Sequence, residues 1–275
     1  MAVRKKRTGT KQKKAVPQPP AEQLRQELAP VKPASGRAGS LVTAIIALLV
    51  IAAAAFFFSN PSFWNPEKAI KSAIDKAEKL SVHRNYKKAI KIYEGLVARW
   101  GNDEKQADIM KQVRLNLAKT YQDGADYAKA IAMYKELAEE YKAVNQDMHA
   151  WLMLELGESY AGMFNTSEAV KTYQTVVDKY KGSDWAAEAL FGIADAYKAA
   201  GDTANALKFY GTIAEKYKKG FLSAEALTNI GQIYEREGKP KKALAVYSRI
   251  IKEFPDVVTE YAKLRYESLT AKAIK

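Results

Sequence analysis

The sequence predicts an all-α fold in which paired helices stack into a superhelical solenoid, preceded by one transmembrane helix. A small residue is followed by Ala after twelve positions and by Tyr after four more, and this set occurs five times with a period of 37 to 41 residues. An uncharged apolar stretch precedes the first set. A unit of this length cannot bury its apolar face alone, so adjacent units must stack.

The N-terminal segment holds most of the positive charge of the chain, which has 275 residues and a formal net charge of +13. Residues 1–40 carry ten Lys or Arg against Glu22 and Glu27, a net charge of +8, which leaves +5 for the rest. No aromatic residue lies among these bases to stack on nucleobases, so nucleic acid is not an expected partner. The segment is predicted to be a disordered, Pro-rich cytoplasmic tail.

The stretch from Leu41 to Phe58 predicts a membrane anchor. It contains no charge, and eleven of its eighteen residues are Leu, Ile, Val or Phe. As a helix it would span about 27 Å, close to the hydrocarbon thickness of a bilayer. Forty residues precede it, so an uncleaved anchor is favoured over a cleaved secretory signal. The basic tail predicts an N-terminus in the cytoplasm and repeats beyond the inner (cytoplasmic) membrane.

A short linker, 59–69, is predicted before the first repeat, and within it Asn65 as the N-cap and Pro66 at the first helical position open the soluble part. Each repeat is predicted as helix A, a tight turn and helix B, and the five repeats are 70–103, 111–144, 150–183, 187–220 and 224–257. The turns carry the helix breakers Gly124, Gly162, Gly201, Gly238 and Pro240. Residues 258–275 predict one more amphipathic helix, with Val258, Tyr261, Ala262, Arg265 and Leu269 at helical spacing, that caps the array.

The recurring positions have a common packing logic. Small residues on helix A let the two helices approach closely, while the Tyr of helix B fills the gap toward the next repeat and keeps its hydroxyl near solvent. The small residues are Ala77, Ala118, Gly157, Ala194 and Gly231, and an aromatic follows three positions later at Tyr121, Tyr160, Tyr197 and Tyr234. The Ala and Tyr of helix B are Ala89 with Tyr93, Ala130 with Tyr134, Ala169 with Tyr173, Ala206 with Tyr210, and Ala243 with Tyr247.

This pattern resembles the tetratricopeptide repeat family over nearly everything after residue 66. The first copy departs from it, with Leu80 for the aromatic and Lys76 where the other copies have Leu or Ile. A second aromatic follows each helix B Tyr by seven residues, which predicts a long helix B whose rings pack in the core: Trp100, Tyr141, Tyr180, Tyr217 and Phe254. With its long helices and its anchor, the chain resembles members of this family from the bacterial cell envelope. Examples are the barrel-assembly lipoprotein, the periplasmic cell-division coordinator and the ancillary translocon subunit.

The resemblance implies that helix A lines a concave groove that binds protein or peptide clients. In repeats three and four the register places there Trp151, Leu154, Glu155, Glu158, Glu188, Phe191, Gly192 and Asp195. Large aromatics beside carboxylates suit an extended segment with apolar anchors and basic residues. The alternative is that the carboxylates are ordinary solvated charges and that Trp151 packs against a neighbour.

Catalytic residues are not evident in the sequence. There is no Cys, and the two His, His83 and His149, lie far apart and are each predicted at the surface or in a turn. No cofactor, metal or small-molecule substrate is expected. The sequence therefore predicts a scaffold in cell-envelope assembly, secretion or division. The alternative is a cytosol-facing receptor or adaptor with the reversed orientation in a membrane.

Overall fold

A computed structural model of the chain describes residues 45–52, 65–217, 220–255 and 259–273. The chain divides into two compact units, Met1–Trp64 and Asn65–Lys275. In the first unit, residues 45–52 are helical and exposed, while the basic tail and the rest of the stretch from Leu41 to Phe58 lie outside the described residues. Of the helices that are described, none is both long and apolar enough to cross a membrane.

The second unit consists of helices joined by short turns, and no strand occurs in its described part. The helices form five consecutive pairs, repeats one to five, and a terminal helix, α11. They are α1 Pro66–Val82, α2 Tyr86–Trp100, α3 Ala107–Asp123, α4 Tyr127–Tyr141, α5 Gln146–Gly162, α6 Thr166–Lys179, α7 Asp184–Ala199, α8 Thr203–Lys216, α9 Phe221–Arg236, α10 Pro240–Glu253 and α11 Thr259–Ala273. A single 3-10 turn, Glu104–Gln106, precedes α3.

The A helices begin three or four residues before the predicted repeat starts, and a polar side chain caps three of them there, α1, α5 and α7. Asn65 accepts a hydrogen bond from the backbone N–H of Lys68 at 2.9 Å, which confirms the predicted N-cap. Asn145 caps α5 in the same way, at 3.0 Å from the backbone nitrogen of Met148. The small-residue register therefore locates the repeats but not the ends of their helices.

Two of the predicted turn glycines serve packing rather than chain reversal. In the five turns between A and B helices, the residues with positive φ are Arg84, Ala125, Phe164, Gly201 and Gly238. Gly162 instead ends α5 against the ring of Tyr127, where an added Cβ would lie 2.5 Å from Cε1. At Gly124 an added Cβ would lie 3.1 Å from Cβ of Tyr86, a less severe approach. Of the predicted turn glycines, Gly201 and Gly238 adopt the left-handed conformation, and in the other three turns a non-glycine residue adopts it.

The helix B tyrosines form the centre of the packing, with exposed fractions between 0% and 6%. Ideal Cβ atoms at Gly157 and Gly231 would approach the rings of Tyr173 and Tyr247 to 2.5 and 2.7 Å, so the small residue does let the helices meet. The predicted position of the hydroxyls near solvent is wrong for Tyr134. Its hydroxyl donates a buried hydrogen bond of 2.9 Å to Gln122.

The second aromatic of each helix B also packs on the core, as predicted: Phe254 is buried, and Trp100, Tyr141, Tyr180 and Tyr217 are half-buried. The predicted extra length of helix B is wrong. The B helices have 14 or 15 residues and end at this aromatic or one residue before it. The A helices are longer, with 16 or 17 residues.

Helix α11 packs on the last repeat. Ala262 and Leu269 are buried, and the Arg265 guanidinium forms a two-point contact with the Glu235 carboxylate of α9. Tyr261 remains partly exposed, and Val258 lies outside the described residues. The terminal helix thus covers the apolar face that repeat five would otherwise expose.

Candidate functional site

A groove of about 290 Å³ lies between α5 and α7, the A helices of repeats three and four. Each A helix presents on one face the residues six, three and two positions before its small residue and one position after it. These positions supply the groove with Trp151, Leu154, Glu155, Glu158, Glu188, Phe191 and Gly192. Tyr173 of α6 and Leu222 of α9 complete the lining.

Asp195, which the sequence placed in the same patch, does not line the groove. Its carboxylate accepts hydrogen bonds from the Tyr210 hydroxyl and, at 2.5 Å, from the Lys198 ammonium group. Because Lys198 compensates its charge and the Tyr210 hydroxyl bonds to it, this carboxylate serves the packing of repeat four.

Two aromatic rings form the apolar part of the groove. The Trp151 ring meets Tyr134 edge to face at a centroid distance of 6.4 Å, and the Phe191 ring meets Tyr210 at 5.3 Å. Both rings are nevertheless partly exposed. The alternative considered above therefore holds in part, since Trp151 packs against a neighbour and also faces the groove. Contacts with buried rings fix the orientation of the groove aromatics before anything binds.

Three carboxylates form the acidic part of the groove. Glu155 is half-buried; within the described part of the chain its Oε2 has no hydrogen-bond partner, and Lys119 Nζ lies 3.9 Å away. Burial raises the pKa of Glu155, and Lys119 opposes this effect. Glu158 and Glu188 are exposed and form no ion pair with any described side chain. The groove thus presents negative charge that the surrounding repeats leave largely uncompensated.

Tyr173 lies on the floor of the groove between two helix backbones. An added Cβ at Gly157 or at Gly192 would lie 2.5 Å from an atom of its ring, so only glycine fits on either side. The Tyr173 side chain is 6% exposed, yet it belongs to the groove lining. The ring therefore fixes the spacing of α5 and α7 from below.

A larger cleft of about 680 Å³ runs along α6 on the side away from this groove, against Tyr197 of α7. Half of its lining residues are Thr, Ser or Gln, and the two charged ones, Lys171 and Asp178, have opposite signs. It offers neither a cluster of like charge nor a pair of aromatic anchors, so the smaller groove is the better candidate site.

The two histidines are placed differently from each other. His83 is exposed at the end of α1, as predicted, but His149 is buried, which corrects its predicted position at the surface or in a turn. Its Nδ1 lies 2.8 Å from the Tyr180 hydroxyl, because the start of α5 packs against the end of α6. Burial lowers the pKa of His149, and Lys179 and Lys142 reinforce the effect. In the described ranges no group of three or more metal-ligating side chains is placed to hold an ion.

The repeat pattern agrees with known sequence families. Two family models described as tetratricopeptide repeat match the chain, one over residues 112–143 and 151–183 and the other over 191–257. Residues 112–143, 151–183 and 191–257 are tetratricopeptide repeats (TPRs). The matches fall in repeats two to five of the TPR array, and the first repeat, where Leu80 and Lys76 depart from the pattern, lies before them.

Solved structures share this fold. The TPR-like repeats of a putative kinesin light chain from Podosopora anserina are 15% identical, with a TM-score of 0.53 over 74% of this chain and 96% of that one. BtubC (BKLC) from P. vanneervenii is also 15% identical, with a TM-score of 0.51 over 74% of this chain and 84% of that one. Such low identity establishes the fold alone. No curated protein matches the sequence significantly.

Within this TPR array, sequence reasoning missed two groove residues. Tyr173 was assigned to core packing along with the other helix B tyrosines, and Leu222 lies outside the recurring positions. The sequence feature that could have indicated Tyr173 as a groove residue is a glycine. Two positions before the small residue the other repeats carry Asp75, Asn116, Glu155 and Asn229, whereas repeat four has Gly192, next to the Tyr173 ring.

Proposed function

We propose that this TPR protein is a membrane-anchored scaffold whose right-handed superhelix binds extended protein segments in the groove between repeats three and four. The observation that carries the proposal is the juxtaposition of two fixed aromatic rings, Trp151 and Phe191, with Glu158 and Glu188, which no described side chain neutralises. Apolar side chains of the segment contact the rings, and its basic side chains face the carboxylates. The role is binding and positioning rather than catalysis.

Binding of defined peptides to the full chain in mild detergent tests the groove. The probe is a fluorescein-labelled synthetic twelve-residue peptide in which Leu and Arg alternate, and its counterpart alternates Leu and Glu. We expect saturable anisotropy with the Leu–Arg peptide only. Trp151→Ala should weaken binding by about 1–2 kcal/mol because it removes an aromatic anchor. Glu158→Lys/Glu188→Lys should weaken it further, because like charges then face each other.

The matched control for the charge reversal is Glu260→Lys/Glu267→Lys on α11, which changes the net charge by the same amount on an exposed helix far along the chain. The control should leave the dissociation constant of the Leu–Arg peptide nearly unchanged at about 0.15 M salt, because the Debye length there is about 8 Å. Equal losses in both double variants would contradict a local site and indicate attraction by overall charge.

We further propose that the stretch from Leu41 to Phe58 anchors the array to the inner membrane, with the repeats on the outer side, in cell-envelope assembly, secretion or division. An uncharged stretch of eighteen residues after a segment of net charge +8 supports this orientation. In a bacterial host, alkaline phosphatase fused after Lys275 should be active, and fluorescent protein fused before Met1 should fluoresce. The opposite pattern would favour a cytosol-facing receptor, and solubility without detergent would exclude the anchor.

A further inference from the structure

Four of the five helix B tyrosines have their hydroxyls bonded to polar side chains of A helices. Tyr134 and Tyr247 donate to Gln122 at 2.9 Å and to Glu235 at 2.7 Å, four positions after the small residue of the same repeat. Tyr210 donates to Asp195, one position after it. The Tyr93 hydroxyl accepts from Asn116 Nδ2 at 3.4 Å, two positions before the small residue of the following repeat.

Tyr173 has no such partner, because the same three positions around it are altered. They hold Ala161, Glu158 and Gly192. Ala161 and Gly192 have no polar side-chain atom, and Glu158 is exposed and engaged in no hydrogen bond with the described residues. More than nine-tenths of Tyr173 is buried, and the residue still lines the groove. Its unbonded hydroxyl is not among the fully buried oxygens that lack a partner, and the ring that carries it lines the groove.

This hydroxyl can donate a hydrogen bond. Burial raises the pKa of Tyr173 above its ordinary value, and Glu158, Asp195 and Glu155 reinforce the effect, so the hydroxyl keeps its proton. The two flanking glycines hold the ring in place from both sides. A neutral donor held at the floor of a groove needs an acceptor, and a backbone carbonyl is the acceptor that every extended segment carries.

We propose that the Tyr173 hydroxyl donates a hydrogen bond to a backbone carbonyl of the segment bound in the groove. Tyr173 is then a ligand-contacting residue, whereas Tyr93, Tyr134, Tyr210 and Tyr247 are structural. The inference rests on the proposed function of the groove. The carboxylates select basic side chains of the bound segment, and Tyr173 positions the main chain of that segment between Trp151 and Phe191.

Phe substitutions separate the two roles, since Phe keeps the ring and removes only the hydroxyl. With the full chain and the Leu–Arg peptide, Tyr173→Phe should weaken binding about two- to ten-fold, the value of one ordinary hydrogen bond. Its thermal midpoint should be unchanged, because no protein group loses a partner. The matched control, Tyr134→Phe, should leave peptide binding unchanged and lower the thermal midpoint, because Gln122 loses a buried donor.

Two results would overturn the inference while leaving the proposed function in place. The first is a Tyr173→Phe protein whose thermal midpoint falls as far as that of Tyr134→Phe, which would show that the hydroxyl is bonded within the protein. The second is an unchanged dissociation constant for Tyr173→Phe while Glu158→Lys/Glu188→Lys still weakens binding. If neither the Trp151 variant nor the double charge variant affects the peptide, the groove is not the binding site and both proposals fail.

Discussion

Single side chains set how closely neighbouring helices of this array approach. The rings of Tyr173 and Tyr247 lie directly against Gly157 and Gly231, where even one added methyl group would overlap them. Repeats one, two and four have Ala at the equivalent position. Glycine at this position therefore permits a ring contact that Ala would not, and repeat three, which forms one side of the groove, is one of the two repeats that have it.

This tightness makes Gly157→Ala a destabilising change. The new Cβ would lie 2.5 Å from the Tyr173 ring, which is itself held against Gly192 and cannot move away. We expect the free energy of unfolding to fall by about 1–3 kcal/mol, as for overpacked cores. Urea denaturation followed by circular dichroism measures it.

The matched control is Gly95→Ala, a helical glycine of α2 whose added Cβ meets nothing within 4 Å. It should raise the free energy of unfolding by about 0.5–1 kcal/mol, because Ala favours the helix and nothing opposes it. If both substitutions stabilise the protein to the same extent, the close approach at Gly157 is not a constraint.

At the level of helices, the sequence predicts which residues share one face of a helix, because this depends only on helical periodicity. Register alone placed six of the seven proposed groove residues around one groove, because positions on the same face of a helix stay together whatever surrounds them. Whether they bind a segment stays a prediction. The same periodicity placed Ala262 and Leu269 on the buried face of α11.

Periodicity does not reveal which side chains from other helices reach a given position. Asp195 has the register of a groove residue, but Tyr210 and Lys198 occupy its carboxylate. His149 is polar, yet the end of α6 covers it and Tyr180 bonds to it. Tyr173 has the same register as four structural tyrosines. It differs from them because Ala161 and Gly192 have no polar side-chain atom that could bond to its hydroxyl. Each of these outcomes depends on contacts between helices, which a single sequence does not specify.

Across the whole array of repeats, two apolar clusters meet at one helix, α7. Ala189, Ile193 and Ala196 of α7 join the cluster that begins in repeat one, while Leu190 and Ala194 join the cluster that continues to α11. Helix α7 therefore takes part in both cores and also supplies Phe191 and Glu188 to the groove. Because repeats contact mainly their neighbours, stability passes along the array through such shared helices.

Adjacent core substitutions in α7 should therefore weaken opposite ends of the array. Leu190→Ala and Ile193→Ala each remove a buried side chain and should each lower stability by about 2–5 kcal/mol. Hydrogen exchange read by mass spectrometry should show faster exchange in α8 to α10 for Leu190→Ala and in α3 to α6 for Ile193→Ala, since the lost contacts belong to different clusters. Each variant serves as the control for the other. Uniform acceleration from α1 to α10 in both would show instead that the five repeats open as one cooperative body and that α7 is no boundary.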